Sequence, residues 1–157
     1  MSRSRRFVVS AAAIALGAAT LTGCSSTVSM TAASAANDPA CAEVMARLPD
    51  AVDGQARRWT DAQATGAWGE PVTVLMTCGL DAPGPSTLEC ETVGGVDWLI
   101  DPADAPHYRL TTFGRTPAVE VYLDADAVSS RTVMDAIAVA AQQLPTDGRE
   151  CTSRSSD

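Results

Sequence analysis

The 157-residue chain has no lysine: all 11 of its basic side chains are arginines, set against 19 Asp and Glu. Three of these, Arg3, Arg5 and Arg6, precede residue 24, in a stretch with no acid at all. From Cys24 onward, 134 residues carry 8 arginines and 19 acids, a formal charge of −11. Neutralising phosphates needs a basic face, so this balance excludes a general nucleic-acid binder. It also speaks against electrostatic attachment to a membrane surface. There is one histidine, His107, and aromatic residues make up 4% of the chain. No C-x-x-C pair, P-loop, G-x-G-x-x-G or G-x-S-x-G occurs, so the local signatures of redox pairs, nucleotide binding and serine hydrolysis are missing. No internal repeat is visible. The length suits one domain, and an apolar fraction of 46% is too high for a disordered chain.

What is present begins with an amino-terminal leader. After the arginines, residues 7–21 are uncharged and mostly apolar. As a helix they would reach about 22 Å at 1.5 Å per residue, short of a hydrocarbon core of about 30 Å. Residues 1–23 therefore read as a signal peptide rather than a spanning helix. Leu21-Thr22-Gly23-Cys24 follows directly. It resembles the lipobox of bacterial lipoproteins, which implies cleavage before Cys24 and lipidation of its thiol. Two acyl chains hold a protein on a membrane where one does not. The expectation is an extracytoplasmic protein anchored by lipid to the outer face of the cell membrane. Residues 24–36 are small and uncharged and read as a flexible tether. Residues 37–151 read as the folded domain, and 152–157 as a polar tail.

Four cysteines remain: Cys41, Cys78, Cys90 and Cys151. Outside the cytoplasm an even set reads as disulfides, and four cysteines allow three connectivities. Cys78–Cys90 with Cys41–Cys151 is the favoured pairing. The first would clip a local loop, at about 3 kcal/mol, and the second would tie the domain ends, at about 4–5 kcal/mol, by loop-closure entropy. The sequence spacings of 37, 12 and 61 do not form metal-ligand pairs. No metal and no cofactor is expected.

The domain reads as α+β, a small antiparallel sheet of about five strands packed by an amino-terminal and a carboxy-terminal helix and stapled by disulfides. Asp38 or Pro39 starts the first helix; Cys41, Val44, Met45 and Leu48 recur at helical spacing until Pro49. Residues 54–69 are polar, with Trp59 and Trp68 expected to anchor onto the core. Strands are expected at 72–78, 87–93, 96–100, 108–113 and 118–123. Val72, Val74, Met76 and Cys78 share one face of the first; Val96, Trp98 and Ile100 share one face of the third; Val119, Val121 and Leu123 point inward from the last. Gly94-Gly95 is a two-residue turn. Ser129 or Ser130 caps a final helix whose stripe is Val133, Ile137, Ala140 or Ala141, and Leu144, before Pro145.

Several segments together resemble a known family. They are Leu48-Pro49, Trp68-Gly69-Glu70-Pro71, Cys78-Gly79, Gly94-Gly95-Val96-Asp97-Trp98 and Gly114-Arg115-Thr116-Pro117-Ala118-Val119. The chain is similar over roughly residues 41–145 to the actinobacterial envelope proteins grouped as domain of unknown function 3515. The resemblance implies an extracytoplasmic, often lipid-anchored protein and implies no reaction. The Arg-only, Ala-rich composition fits such a source.

Candidate binding residues follow from position. Arg115 lies between two strands and is suited to a carboxylate or phosphate, or to a structural pair with an acid such as Asp97. Asp97 is expected outward, because Trp98 points in. Trp68, with Trp59, could stack a sugar or peptide or close a core edge. Asp101, Asp104, Asp124 and Asp126 have the chemistry of calcium ligands without an EF-hand spacing. The function expected is non-enzymatic: a lipid-anchored envelope module binding an unknown envelope protein or small ligand. The alternatives are an enzyme or enzyme accessory of cell-wall metabolism and a structural accessory of a membrane complex.

Overall fold

A computed structural model describes residues 26–152. The leader, Cys24 and residues 153–157 of the tail lie outside the described residues. The order is α1 (Pro39–Met45), β1 (Ala51–Val52), β2 (Gln55–Arg58), β3 (Thr65–Trp68), β4 (Val74–Leu80), β5 (Glu89–Val93), β6 (Val96–Asp101), β7 (His107–Phe113), β8 (Ala118–Asp124) and α2 (Ser130–Ala141). The strands form one antiparallel sheet in the order β1-β2-β3-β4-β8-β7-β6-β5. The antiparallel sheet, the two helices and the two disulfides stand, although the domain is mainly sheet. The sheet, however, has eight strands rather than about five.

The three extra strands lie within residues 51–68, two of them in the stretch read as polar. β1 and β2 turn through Asp53-Gly54, both with positive φ (46° and 77°), as a type I′ hairpin requires. Pairs as short as Ala51–Val52, and strands reading Gln-Ala-Arg-Arg and Thr-Gly-Ala-Trp, show no apolar alternation. Their partners, not their own pattern, make them strands. The other strands hold the faces expected of them. Val74, Met76 and Cys78 of β4 lie opposite Leu123, Val121 and Val119 of β8, all without solvent exposure.

Both helices cover this face. The Asp38 carboxylate accepts from Ala40 N at 2.8 Å, with Pro39 in the first turn of α1. Ser129 caps α2, accepting from Thr132 N. The stripe of α2 is Val133, Met134, Ile137, Ala140 and Ala141, with Leu144 beyond it. Gly94 in the β5–β6 turn shows how close the layers come. It has a φ of 59°, and a β-carbon there would stand 2.4 Å from that of Ala138 in α2. Glycine suits both the type I′ turn and the contact.

The disulfides are Cys41–Cys78 and Cys90–Cys151, not the pairing favoured above. Register gives the reason. Cys78 pairs with Val119 on the helix-covered face. Cys90 pairs with Leu99, which pairs with Thr111, on the opposite face. The strand order also sets β4 and β5 four places apart, about 19 Å at 4.8 Å per strand. A disulfide spans no more than about 7 Å between α-carbons. The expected pairing takes 78–90 as a local loop, whereas residues 81–88 carry the chain from mid-sheet to its far edge.

Residues 26–36, expected as a tether, run along the domain. Arg58 holds Ser26 by its carbonyl (2.8 Å) and hydroxyl (2.6 Å). Val28 N donates to Trp59 O at 2.8 Å, and Asp61 accepts from Ser29 Oγ and Met30 N, each at 2.8 Å. Ala35 N donates to Gly79 O, and Ala36 is buried. Small side chains permit this close backbone approach.

Candidate functional site

Of the three residues nominated from sequence, Asp97 and Arg115 border one hollow of about 370 Å³ together with Phe113 and Arg149, while Trp68 lies apart in the core. Arg115 donates from Nη1 to the carbonyls of Gln142 (3.2 Å) and Leu144 (2.9 Å) and from Nη2 to Gly95 O (3.4 Å). These carbonyls include those that a helix end leaves without intrahelical partners. Arg115 therefore fastens the end of α2 to two strand connections, and its contacts are carbonyls rather than the Asp97 carboxylate. Asp97 accepts instead from Thr92 Oγ1 (2.5 Å) and Cys151 N (2.7 Å). Trp68 is fully buried and donates from Nε1 to Pro49 O at 3.1 Å. It anchors the core as one of the two readings had it. Trp59, expected to do the same, is 76% exposed, because its backbone lies between β2 and β3 and serves the amino-terminal segment.

The clustered acids serve local turns and pairs. Asp101 accepts from Ala103 N, Asp124 from Asp126 N, and Asp104 pairs with Arg109 at 3.1 Å. Among the described residues no group of three His, Cys, Asp or Glu is arranged to hold a metal ion.

What the fold does assemble is a groove on the sheet face away from the helices. By register this face carries Cys90, Asp97 and Leu99, then Arg109, Thr111 and Phe113, then Glu120 and Tyr122. Two straps border it, residues 81–88 and the chain after α2. The second strap is held by the Cys90–Cys151 disulfide, by Cys151 N on Asp97, and by the Arg149 guanidinium 5.7 Å from the centre of the Phe113 ring. Arg149 also donates to Pro83 O, joining the two straps. Between them lies a hollow of about 580 Å³, lined by Pro85, Leu88, Leu99, Phe113, Glu150 and the disulfide. A second hollow of about 280 Å³ shares Pro85, Ser86, Leu88 and Leu99 and runs on to Thr111, Arg109 and Glu120.

The groove thus sets a small apolar floor of Leu88, Leu99 and Phe113 within a lining that is otherwise largely polar, and has a charged, aromatic end. The His107 and Tyr122 rings stack at 5.4 Å, tilted by 8°. Arg109 lies 4.6 Å from the Tyr122 ring centre, within reach of Glu120 (3.3 Å) and Asp104. Partial burial works against the charge of Arg109, but the Asp104 and Glu120 carboxylates outweigh it and raise its pKa. The other displaced groups also have evident partners. Met30 N–H and Ser29 lower Asp61. Arg149 lowers Asp147, and Asp147 raises Arg149 in return.

Sequence reasoning missed this groove, although one signal for it was present. Alternation along 107–113 puts His107, Arg109, Thr111 and Phe113 on one face, and a half-polar, half-aromatic face is a surface suited to contact. Which straps border that face depends on the 81–88 crossover and on the disulfide pairing.

A family model described as protein of unknown function (DUF3515) matches residues 7–147. The chain belongs to that family. No curated protein and no solved structure matches it.

Proposed function

We propose that this family member is an extracytoplasmic binding module, anchored by a lipidated Cys24, whose groove on the open sheet face takes a partner or small ligand. The single observation that carries the reading is the groove itself. It has an apolar floor of Leu88, Leu99 and Phe113 and charged side chains at its ends, Glu150 at one and Arg109 with Glu120 at the other. Ligand sites are concave and fix orientation through placed polar groups; this one is shallow and more polar than most, with Ser86, Glu89, Glu150 and Thr152 on its walls. A largely polar ligand or peptide segment with one apolar group to meet Leu88, Leu99 and Phe113 fits it. Two disulfides support an oxidising, extracytoplasmic setting. No helix among the described residues is long and apolar enough to cross a membrane; the assignment of attachment to the lipid rests on the Leu21-Thr22-Gly23-Cys24 tetrad.

The test is native mass spectrometry of the exported mature chain, beside Leu88→Arg, which fills the groove from an exposed loop. A retained small molecule, or a protein cross-linked in cells through the groove, that Leu88→Arg loses without a change in melting supports the proposal. Turnover of a cell-wall or ester substrate by the purified chain overturns its non-enzymatic part.

A further inference from the structure

We infer that Trp59 is a second membrane contact, which seats its indole at the headgroup level and sets the orientation of the anchored domain. The inference rests on the reading of Cys24 as the lipidated residue. Of the three tryptophans, Trp68 and Trp98 are fully buried, whereas Trp59 is 76% exposed. An indole with an apolar body and one N–H is suited to the membrane–water interface.

The position of Trp59 relative to the anchor is the decisive relationship. Arg58, its neighbour, grips both the carbonyl and the hydroxyl of Ser26. Val28 donates to the Trp59 carbonyl, and Asp61 holds Ser29 and Met30. Cys24 precedes Ser26 by two residues, at most about 7 Å of chain. A free 13-residue tether would give about 20 Å of play. Pinning at Ser26 leaves about a third of that, so a diacylated Cys24 brings the bilayer surface to the edge that carries Trp59.

Charge argues for the kind of contact. From Cys24 onward the chain is strongly acidic, and Arg58 is already engaged with Ser26 and Glu70. Electrostatic attraction to anionic lipid is therefore not the driving term; partition of the indole is, and it should be insensitive to salt. A hollow of about 450 Å³ beside Trp59, bordered by Met45, Arg57 and Thr60, gives the alternative occupant, a cell-wall glycan.

The experiment uses the mature chain, purified with its lipid and reconstituted into phosphatidylcholine vesicles. Trp59 emission is taken as the difference between wild type and Trp59→Phe, the other indoles being buried. The expected result is a blue shift on reconstitution and stronger quenching by lipids brominated near the headgroup than by those brominated deep in the chain, in low and high salt alike. Emission that stays solvent-like in vesicles, or that shifts only with soluble cell-wall glycan, overturns the inference. An intact mass without lipid removes the Cys24 reading and this inference together. A lipidated mass with no quenching removes only this inference.

Discussion

Gly114 lies against the carbonyl of Arg149: a β-carbon on Gly114 would stand 2.0 Å from the Arg149 oxygen. The strap after α2 thus crosses the β7–β8 connection at backbone contact. Gly114 also has a φ of 71°, a region that side chains disfavour. Gly114→Ala should therefore destabilise the domain by about 2–3 kcal/mol, from strain and displacement of the strap. Thermal melting measures this, and an unchanged melting temperature would mean that the strap is free to shift.

Arg115 acts at the end of α2. Arg115→Ala leaves the Gln142 and Leu144 carbonyls without this donor, at a cost of about 1–3 kcal/mol. Arg115→Lys should recover only part, because a single ammonium does not reproduce the planar fork that reaches three carbonyls. Chemical denaturation of the two variants checks the order. Equal stability of wild type and Arg115→Ala would exclude the bracing role.

The two disulfides should respond differently to reductant. Cys41 and Cys78 have no solvent exposure, while Cys90 and Cys151 are partly exposed. Mild dithiol treatment followed by alkylation and peptide mapping should label Cys90 and Cys151 first, with Cys41–Cys78 opening only on global unfolding. Sequence separations of 37 and 61 residues put the loop-closure contribution of each bond at about 4 kcal/mol. Simultaneous labelling of all four would show that the domain unfolds as one unit when the outer bond breaks.

Acid should loosen the amino-terminal segment. Asp61 is held below the ordinary carboxylate range by Met30 N–H and the Ser29 hydroxyl. A depressed folded-state pKa contributes stability that is full above the unfolded-state value, about 4, and is lost as pH falls through the folded value. Met30, its exchange rate corrected for the intrinsic rate, should therefore lose protection only below about pH 4. Asp61→Asn should show that loss already at neutral pH. Protection of Met30 that ignores both changes would remove the Asp61 contact from the account.

Much of the fold was legible because local chemistry and burial agree. Asp38 with Pro39 and Ser129 mark helix starts, Pro145 follows a helix stop, and Gly94-Gly95 marks a turn. Val119, Val121 and Leu123 alternate as a one-faced strand must. The candidate site was not legible in the same way. Arg115 and Asp97 stood out as polar residues next to turns, yet their partners are a helix end and a strap distant in sequence.

Local elements, the acidic balance and an even set of cysteines after Cys24 can be read along the chain, since they rest on side-chain type and short-range periodicity. Which cysteines meet, the entry of residues 51–68 into the sheet, and the two straps around a groove over Leu99 and Phe113 emerge only from the folded arrangement. Each of these depends on strand order and on which face of the sheet a residue occupies. Those are set by packing between segments far apart in the chain, and no local pattern encodes them.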